Sequence, residues 1–394
     1  MRYYLIRPRR WWWLLIALVA GSILALLLAD HAHADGGAPN LAYIVGAGSD
    51  GQSLAIIDIA QRKVTSTTHL GGDPAGIVLS LDNRFAYITE RGQNQVAVVD
   101  ARTHQLAGQI AVGTAPQGIA IDVTTGATLY VTNSGSNSVS VIDGTKRAVL
   151  ATISVGQQPQ GISIAGVNTT ISNYLDPQVY VADSGSDAVT VIAAHERSVL
   201  ATIPVPGGPQ NVVVPAVASV AYVTTRSGDI DIISLADHRF IGTLVHRPGD
   251  TFGMMDYDAV TNQVYVPDLT AGQVLVLAPA SATGPLPTEP ARTLSFTGSP
   301  AAVAITFDGT LGFVAQQGSG QVSMLDVAQR QTLATIAVGG APHAVITGSY
   351  PPLLDRRTAN VVGIVAVVVL FAAGVAFAAI VVRRAQKGQA GHAQ

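Results

Sequence analysis

Apolar residues along this chain fall in short runs, broken by polar and glycine-containing turns. Residues 115–155, APQGIAIDVTTGATLYVTNSGSNSVSVIDGTKRAVLATISV, show the unit. Residues 119–121 are apolar, with β-branched Ile119 and Ile121, 128–132 read TLYVT, 139–143 read VSVID and 149–155 read VLATISV. The last two runs alternate with the period of two of an extended strand. NSGSN at 133–137 and DGTK at 143–146 supply tight turns. The pattern predicts four antiparallel strands in one small sheet. Both faces carry apolar residues, so neighbours must cover the sheet on both sides.

The unit recurs. An aromatic-led strand begins near Tyr43, Tyr87, Tyr130, Tyr180, Tyr222, Tyr265 and Phe313, with steps of 44, 43, 50, 42, 43 and 48 residues. A period in the forties with four strands per unit is the signature of propeller blades, which are stable only when packed on their neighbours. First strands are expected near Ile77, Ile119, Ile162, Val212, Met254, Val303 and Val345, one for each aromatic strand. Residues 40–70 hold three strands, and Val345 has no aromatic strand after it. The last blade is therefore expected to join the C-terminal strand to the three N-terminal ones, which leaves no long open edge. The expected fold is all-β, a seven-bladed propeller of four-stranded antiparallel blades over residues 41–348.

Tyr130-Val131-Thr132-Asn133 and its relatives resemble the YVTN β-propeller repeat family, as do the segments DPAGIVLS, APQGIAID, QPQGISIA, GPQNVVVP, SPAAVAIT and APHAVITG that precede most aromatic strands. The resemblance covers roughly residues 41–348. It implies the fold and says little of activity, because the family is defined by its repeat.

Cysteine is absent, which excludes disulfides, thiolate metal sites and cysteine nucleophiles. Residues 35–357 contain 24 acidic and 15 basic residues, a net charge of −9. No nucleic-acid partner is expected on such a surface.

The two ends read differently. Arg2, Arg7, Arg9 and Arg10 precede an apolar run at 11–28, and Ala32-His33-Ala34 is a small-x-small site. Residues 1–34 are read as a secretory signal, with an uncleaved N-terminal anchor as the alternative. Residues 349–360 form a stalk, and 361–382 are without charge. At 1.5 Å per residue that run spans roughly 33 Å as a helix, enough to cross a bilayer. Arg383, Arg384 and Lys387 follow it, which places the tail 383–394 in the cytoplasm and the propeller outside. The protein is thus expected at the cell membrane, held by one C-terminal span.

Several residue sets carry candidate chemistry. Residues after the strand-opening prolines form an expected ring: Ala75, Gln117, Gln160, Gln210, Ala301 and His343. The amides of Gln117, Gln160 and Gln210 and the imidazole of His343 would bind a small polar ligand at one channel mouth. A second set ends the aromatic strands: Glu90, Asn133, Asp183, Arg226 and Asp268. The chain more distantly resembles lactonase-type propellers, and that resemblance implies carboxylates and a divalent cation near the channel. Glu90, Asp183 and Asp268 would be its ligands. Asp58, Asp100, Asp143 and Asp326 recur at the ends of third strands and are read as turn caps. The fifth blade is degenerate, with Phe252 and Met254 in GDTFGMMDYD. Asn168 opens an acceptor sequon. No elbow nucleophile, phosphate loop or haem motif occurs. The leading reading is a tethered binding module for a small polar ligand or a protein, with no catalytic residue and no cofactor. The alternatives are a lactonase- or cyclase-like enzyme holding a divalent cation, and a structural envelope protein associating through its blade rims.

Overall fold

A computed structural model describes residues 41–122, 124–165, 177–215 and 219–348. All regular elements among them are β-strands, 28 in number, in seven four-stranded sheets. The signal segment, the C-terminal span and the Asn168 sequon lie outside the described residues.

Each sheet is an antiparallel meander. In blade one, Pro74–Leu79, Phe85–Glu90, Gln95–Asp100 and Gln105–Ala111 run from the axis outwards. Blades two, three and four occupy residues 116–154, 159–204 and 209–246, and blade six occupies 300–337. Blade seven is composite: Ala344–Thr347 pairs with Leu41–Ala47, from Ala42 opposite Thr347 to Val45 opposite Ala344. The expected closure is therefore present, and the ring has no open seam.

Blade five departs from the others. Its first strand is only Asp256–Asp258, preceded by an isolated bridge from Phe252 to Asp268. Asp256 faces Tyr265 as Val78 faces Tyr87, so Met255 rather than Met254 takes the place of Ile77. Met254 instead occupies the position that is Gly76, Gly118 or Gly161 elsewhere. Its side chain packs against the clusters between blades six and seven and between blades seven and one. A methionine with three flexible torsions fills a gap that glycine leaves open.

The core divides with the blades. Seven apolar clusters occur among the described residues, each shared by two neighbouring sheets. Second and third strands are buried on both faces, as in Leu41–Ala47 and Ala188–Ala193, and read as continuous apolar runs. Fourth strands face solvent and alternate, as in Lys63–His69.

The Tyr-Val-Thr-Asn spacing has a physical account. Tyr130 donates its hydroxyl to Ala194 O of the next blade at 3.3 Å, and Tyr87 does the same to Gly144 O at 3.2 Å. Val131 is fully buried between sheets. The Thr132 hydroxyl donates to Gln160 O of the next blade at 2.6 Å and accepts from Gly118 N of its own at 2.8 Å. Asn133 donates to Ser138 and Ser140 across the hairpin. The motif therefore screws neighbouring blades together and fixes the following turn. Asp58, Asp100, Asp143 and Asp326 do cap turns, each accepting a backbone N–H two or three residues on.

Candidate functional site

The first strands ring a central cavity of about 660 Å³. Their prolines fix how they begin, and the residue two positions on sets how closely they approach. A Cβ on Gly76 would lie 2.7 Å from Gln117 O, and one on Gly118 would lie 2.6 Å from Gln160 O. Only glycine permits that contact. Thr89 and Thr132 then hold the same two carbonyls at 2.6 Å each. The backbone of Gln117 and Gln160 is thus fixed by the preceding blade, while the side chains are left for other work.

Gln117, Gln160 and Gln210 line one mouth of the cavity from blades two, three and four. All three are half-buried. Among the described residues their side-chain amides meet no hydrogen-bond partner, and each offers two donors and an acceptor. Ala75 lines the same mouth from blade one, whereas Ala301 in blade six is buried behind Gly253 and does not. The ring is therefore an arc of amides over blades two, three and four, with small residues at the same position in blades one, five and six.

His343 also lines the mouth, with both ring nitrogens engaged. Nδ1 stands 2.9 Å from Ala341 O and Nε2 stands 2.7 Å from Pro74 O. A neutral imidazole has one N–H, so both contacts are donations only when the ring is protonated. Gly46, at φ +86°, makes the room, because a Cβ there would lie 2.4 Å from Nδ1. His343 links blade seven to blade one beside the closing strand.

The face around this mouth is acidic, with Asp50, Asp73, Asp187, Asp229 and Asp250 in its turns. Its arginines are committed: Arg91 to Asp73 at 2.9 Å, Arg226 to Ser184 at 2.8 Å and Arg247 to Asp268 at 3.3 Å. Deeper in the channel Asp256 accepts from Ile305 N at 2.6 Å, and burial pushes its carboxyl up to about 6.

The structure does not bring Glu90, Asp183 and Asp268 together. Each ends the second strand of its own blade, is fully buried and packs beneath its own turn. Gln95 donates to Glu90 at 2.5 Å, Thr190 to Asp183 at 2.5 Å, and Ala271 N to Asp268 at 2.9 Å. Burial raises the Glu90 carboxyl and pushes that of Asp183 up to about 6. No group of three or more cation-ligating side chains occurs among the described residues. Register also corrects this set. Thr225, not Arg226, faces Pro209 as Glu90 faces Pro74, and Gln316 completes the series opposite Pro300. Gln316 was readable in GFVAQ, three residues after Phe313. Glycines of the inter-blade turns press on these side chains: a Cβ on Gly72, Gly113 or Gly156 would lie 2.7 Å or less from Glu90, Asn133 or Ser136, and Asp183.

Comparison with known proteins gives one family and a broad likeness of fold. The family Lactonase, 7-bladed beta-propeller, matches residues 50–154, about a quarter of the chain. No curated protein matches. Hydrazine synthase of Kuenenia stuttgartiensis is similar with a TM-score of 0.56 and 22% identity, over 70% of this chain and 90% of that one. The dihydro-heme d1 dehydrogenase NirN gives 0.56 and 13%, over 78% and 75%. A functionally unknown protein from Desulfotomaculum acetoxidans gives 0.65 and 13%, over 79% and all of that chain. At these identities the likeness is one of fold: the chain is a seven-bladed β-propeller, similar over residues 50–154 to the lactonase-type propellers.

Proposed function

We propose that the protein is a membrane-tethered, extracytoplasmic propeller that binds a small polar ligand, or the tip of a partner protein, at the amide-lined mouth. One observation carries the reading: three half-buried glutamine amides on consecutive blades, without a hydrogen-bond partner among the described residues, above a cavity of about 660 Å³. Polar groups that converge on a concave site and lack internal partners are what fix a ligand's orientation. The acidic rim and the committed arginines favour a neutral or cationic ligand that both donates and accepts hydrogen bonds. The tether rests on the uncharged run 361–382 and the basic residues after it.

The test uses the purified full chain in detergent and saturation-transfer NMR against a panel of N-acetyl amino-acid amides, short peptides and oligosaccharides. Binding that disappears in the Gln117→Ala/Gln160→Ala/Gln210→Ala triple variant, at unchanged melting temperature, supports the reading. Binding that survives the triple variant sinks it.

A second reading is favoured by the lactonase family match. In that reading Glu90, Asp183 or Asp268 serves a divalent cation and a hydrolytic reaction. Metal analysis and melting with and without EDTA separate the two. A bound divalent ion, with a melting temperature that falls on chelation, would shift the assignment towards the enzyme, and lactone hydrolysis would then be assayed.

A further inference from the structure

The mouth opposite the amide arc has another character. Both ends of the propeller chain meet there, where Gly348 N donates to Leu41 O at 3.4 Å. Thr306, Phe307, Thr347 and Gly348 line that mouth together. Phe307 and Val260 are 66% and 64% exposed, the most exposed of the large apolar side chains among the described residues. They stand on neighbouring turns of blades six and five. The turns touch, because a Cβ on Gly309 would lie 2.9 Å from Val260. Arg62 and Arg330 are exposed on the outer turns of the same face, in blades seven and six.

Two bulky apolar groups facing water on adjacent turns form a small apolar patch that a partner surface would cover. Here the chain beyond the described residues indicates which. Gly348, the last described residue, lines the same mouth as Phe307, and in the sequence the uncharged run 361–382 follows after twelve further positions. Twelve residues reach at most about 40 Å when fully extended, so the uncharged run begins within that distance of Gly348. We propose that this face rests on a phospholipid bilayer, with Phe307 and Val260 in the interfacial zone and Arg62 and Arg330 beside lipid phosphates. The combination of apolar tips and flanking cations is that of an interfacial binding surface. The amide-lined mouth then points away from the membrane, open to solutes. The inference rests on the membrane tether proposed above.

The absence of cysteine makes the test direct. Single Phe307→Cys, Val260→Cys and Gln93→Cys variants of the full chain carry a nitroxide and are placed in nanodiscs of phosphatidylcholine and phosphatidylglycerol. Gln93 is exposed in a turn of the opposite face. Accessibility to oxygen and to a nickel chelate reports depth. Labels at 307 and 260 are expected about 5–10 Å below the phosphates, the depth of interfacial apolar groups, and the label at 93 in water. If the chain co-purifies with the discs while all three labels are aqueous, the orientation is wrong and the tether stands. If the chain is absent from the discs, the tether fails and the inference falls with it. Spin–spin broadening at 307 would show a second copy as the cover and would overturn the bilayer assignment.

Discussion

Replacing Asp183 with asparagine should stabilise the propeller at neutral pH and leave it unchanged in acid. Asp183 is fully buried at the end of its strand, and among the described residues its Oδ1 meets no partner of good hydrogen-bond geometry. Burial disfavours the charged form and pushes the carboxyl from an ordinary 3.8 up to about 6. A carboxyl raised in the folded chain is harmless where both states are protonated, below about pH 3.8. Between 3.8 and 6 the unfolded chain ionises first, and folding loses stability as the pH rises. Above 6 the loss is complete, at most about 3 kcal/mol from 1.36 kcal/mol per tenfold step. Asparagine never ionises and fits the site: Asn133 occupies the same position in blade two and donates to Ser140, whose counterpart beside Asp183 is Thr190. With an unfolding entropy of about 2.1 cal/mol/K per residue over roughly 300 residues, the gain corresponds to about 5 °C. Melting of parent and Asp183→Asn followed by circular dichroism from pH 3.5 to 8 should give curves that coincide in acid and separate through pH 4–6. Parallel curves, or an asparagine variant less stable throughout, would show that Asp183 carries no burial penalty.

Two paired substitutions test the blade contacts. Thr132→Val removes hydroxyl bonds to Gln160 O and Gly118 N and should cost about 1–3 kcal/mol in denaturant unfolding, because buried groups are left unpaired. Thr224→Val should cost much less, since among the described residues the Thr224 hydroxyl, which faces the degenerate fifth blade, has no partner. Gly118→Ala forces a Cβ to 2.6 Å from Gln160 O and 3.0 Å from Ile162, and should lower stability by about 1–3 kcal/mol. Gly284→Ala in the proline-rich loop has only Ser281 within 4 Å and should be close to neutral by the same measurement.

The fold was legible because a blade is a local object. Tyr87, Tyr130 and Tyr180 each announce a strand buried on both faces, and the repeat compensates for any single weak signal. Even the composite blade could be counted out, since Val345 had a first strand's pattern with no second strand to follow. The site was legible only in part. The position after each strand-opening proline can be read off by repeat, and that placed Gln117, Gln160 and Gln210 at one mouth. Register could not be read where the repeat decays. In blade five, GDTFGMMDYD offers two methionines, and only the ladder between Asp256 and Tyr265 decides between them. Arg226 ends the run of the fourth blade in the sequence, but strand pairing places Thr225 opposite Pro209, at the equivalent position. The engagement of His343 by Pro74 O, 269 residues away, is a product of ring closure and has no local signature. Asp231 was invisible too, a carboxyl pushed up to about 6 by burial between blades and bonded to Thr243.

The pairing of Leu41–Ala47 with Ala344–Thr347 also sets a timetable. The strand made first must wait for the strand made last. At about 5–20 residues per second, the roughly 300 residues between them take on the order of 15–60 s to synthesise. Through that interval the inner edge of Leu41–Ala47 stands bare, a template for any other extended chain it meets. A nascent propeller of this kind depends on being shielded until its final strand emerges. A chain truncated before Ala344 never escapes that state, so nonsense products should be lost to aggregation or proteolysis however many intact blades they carry.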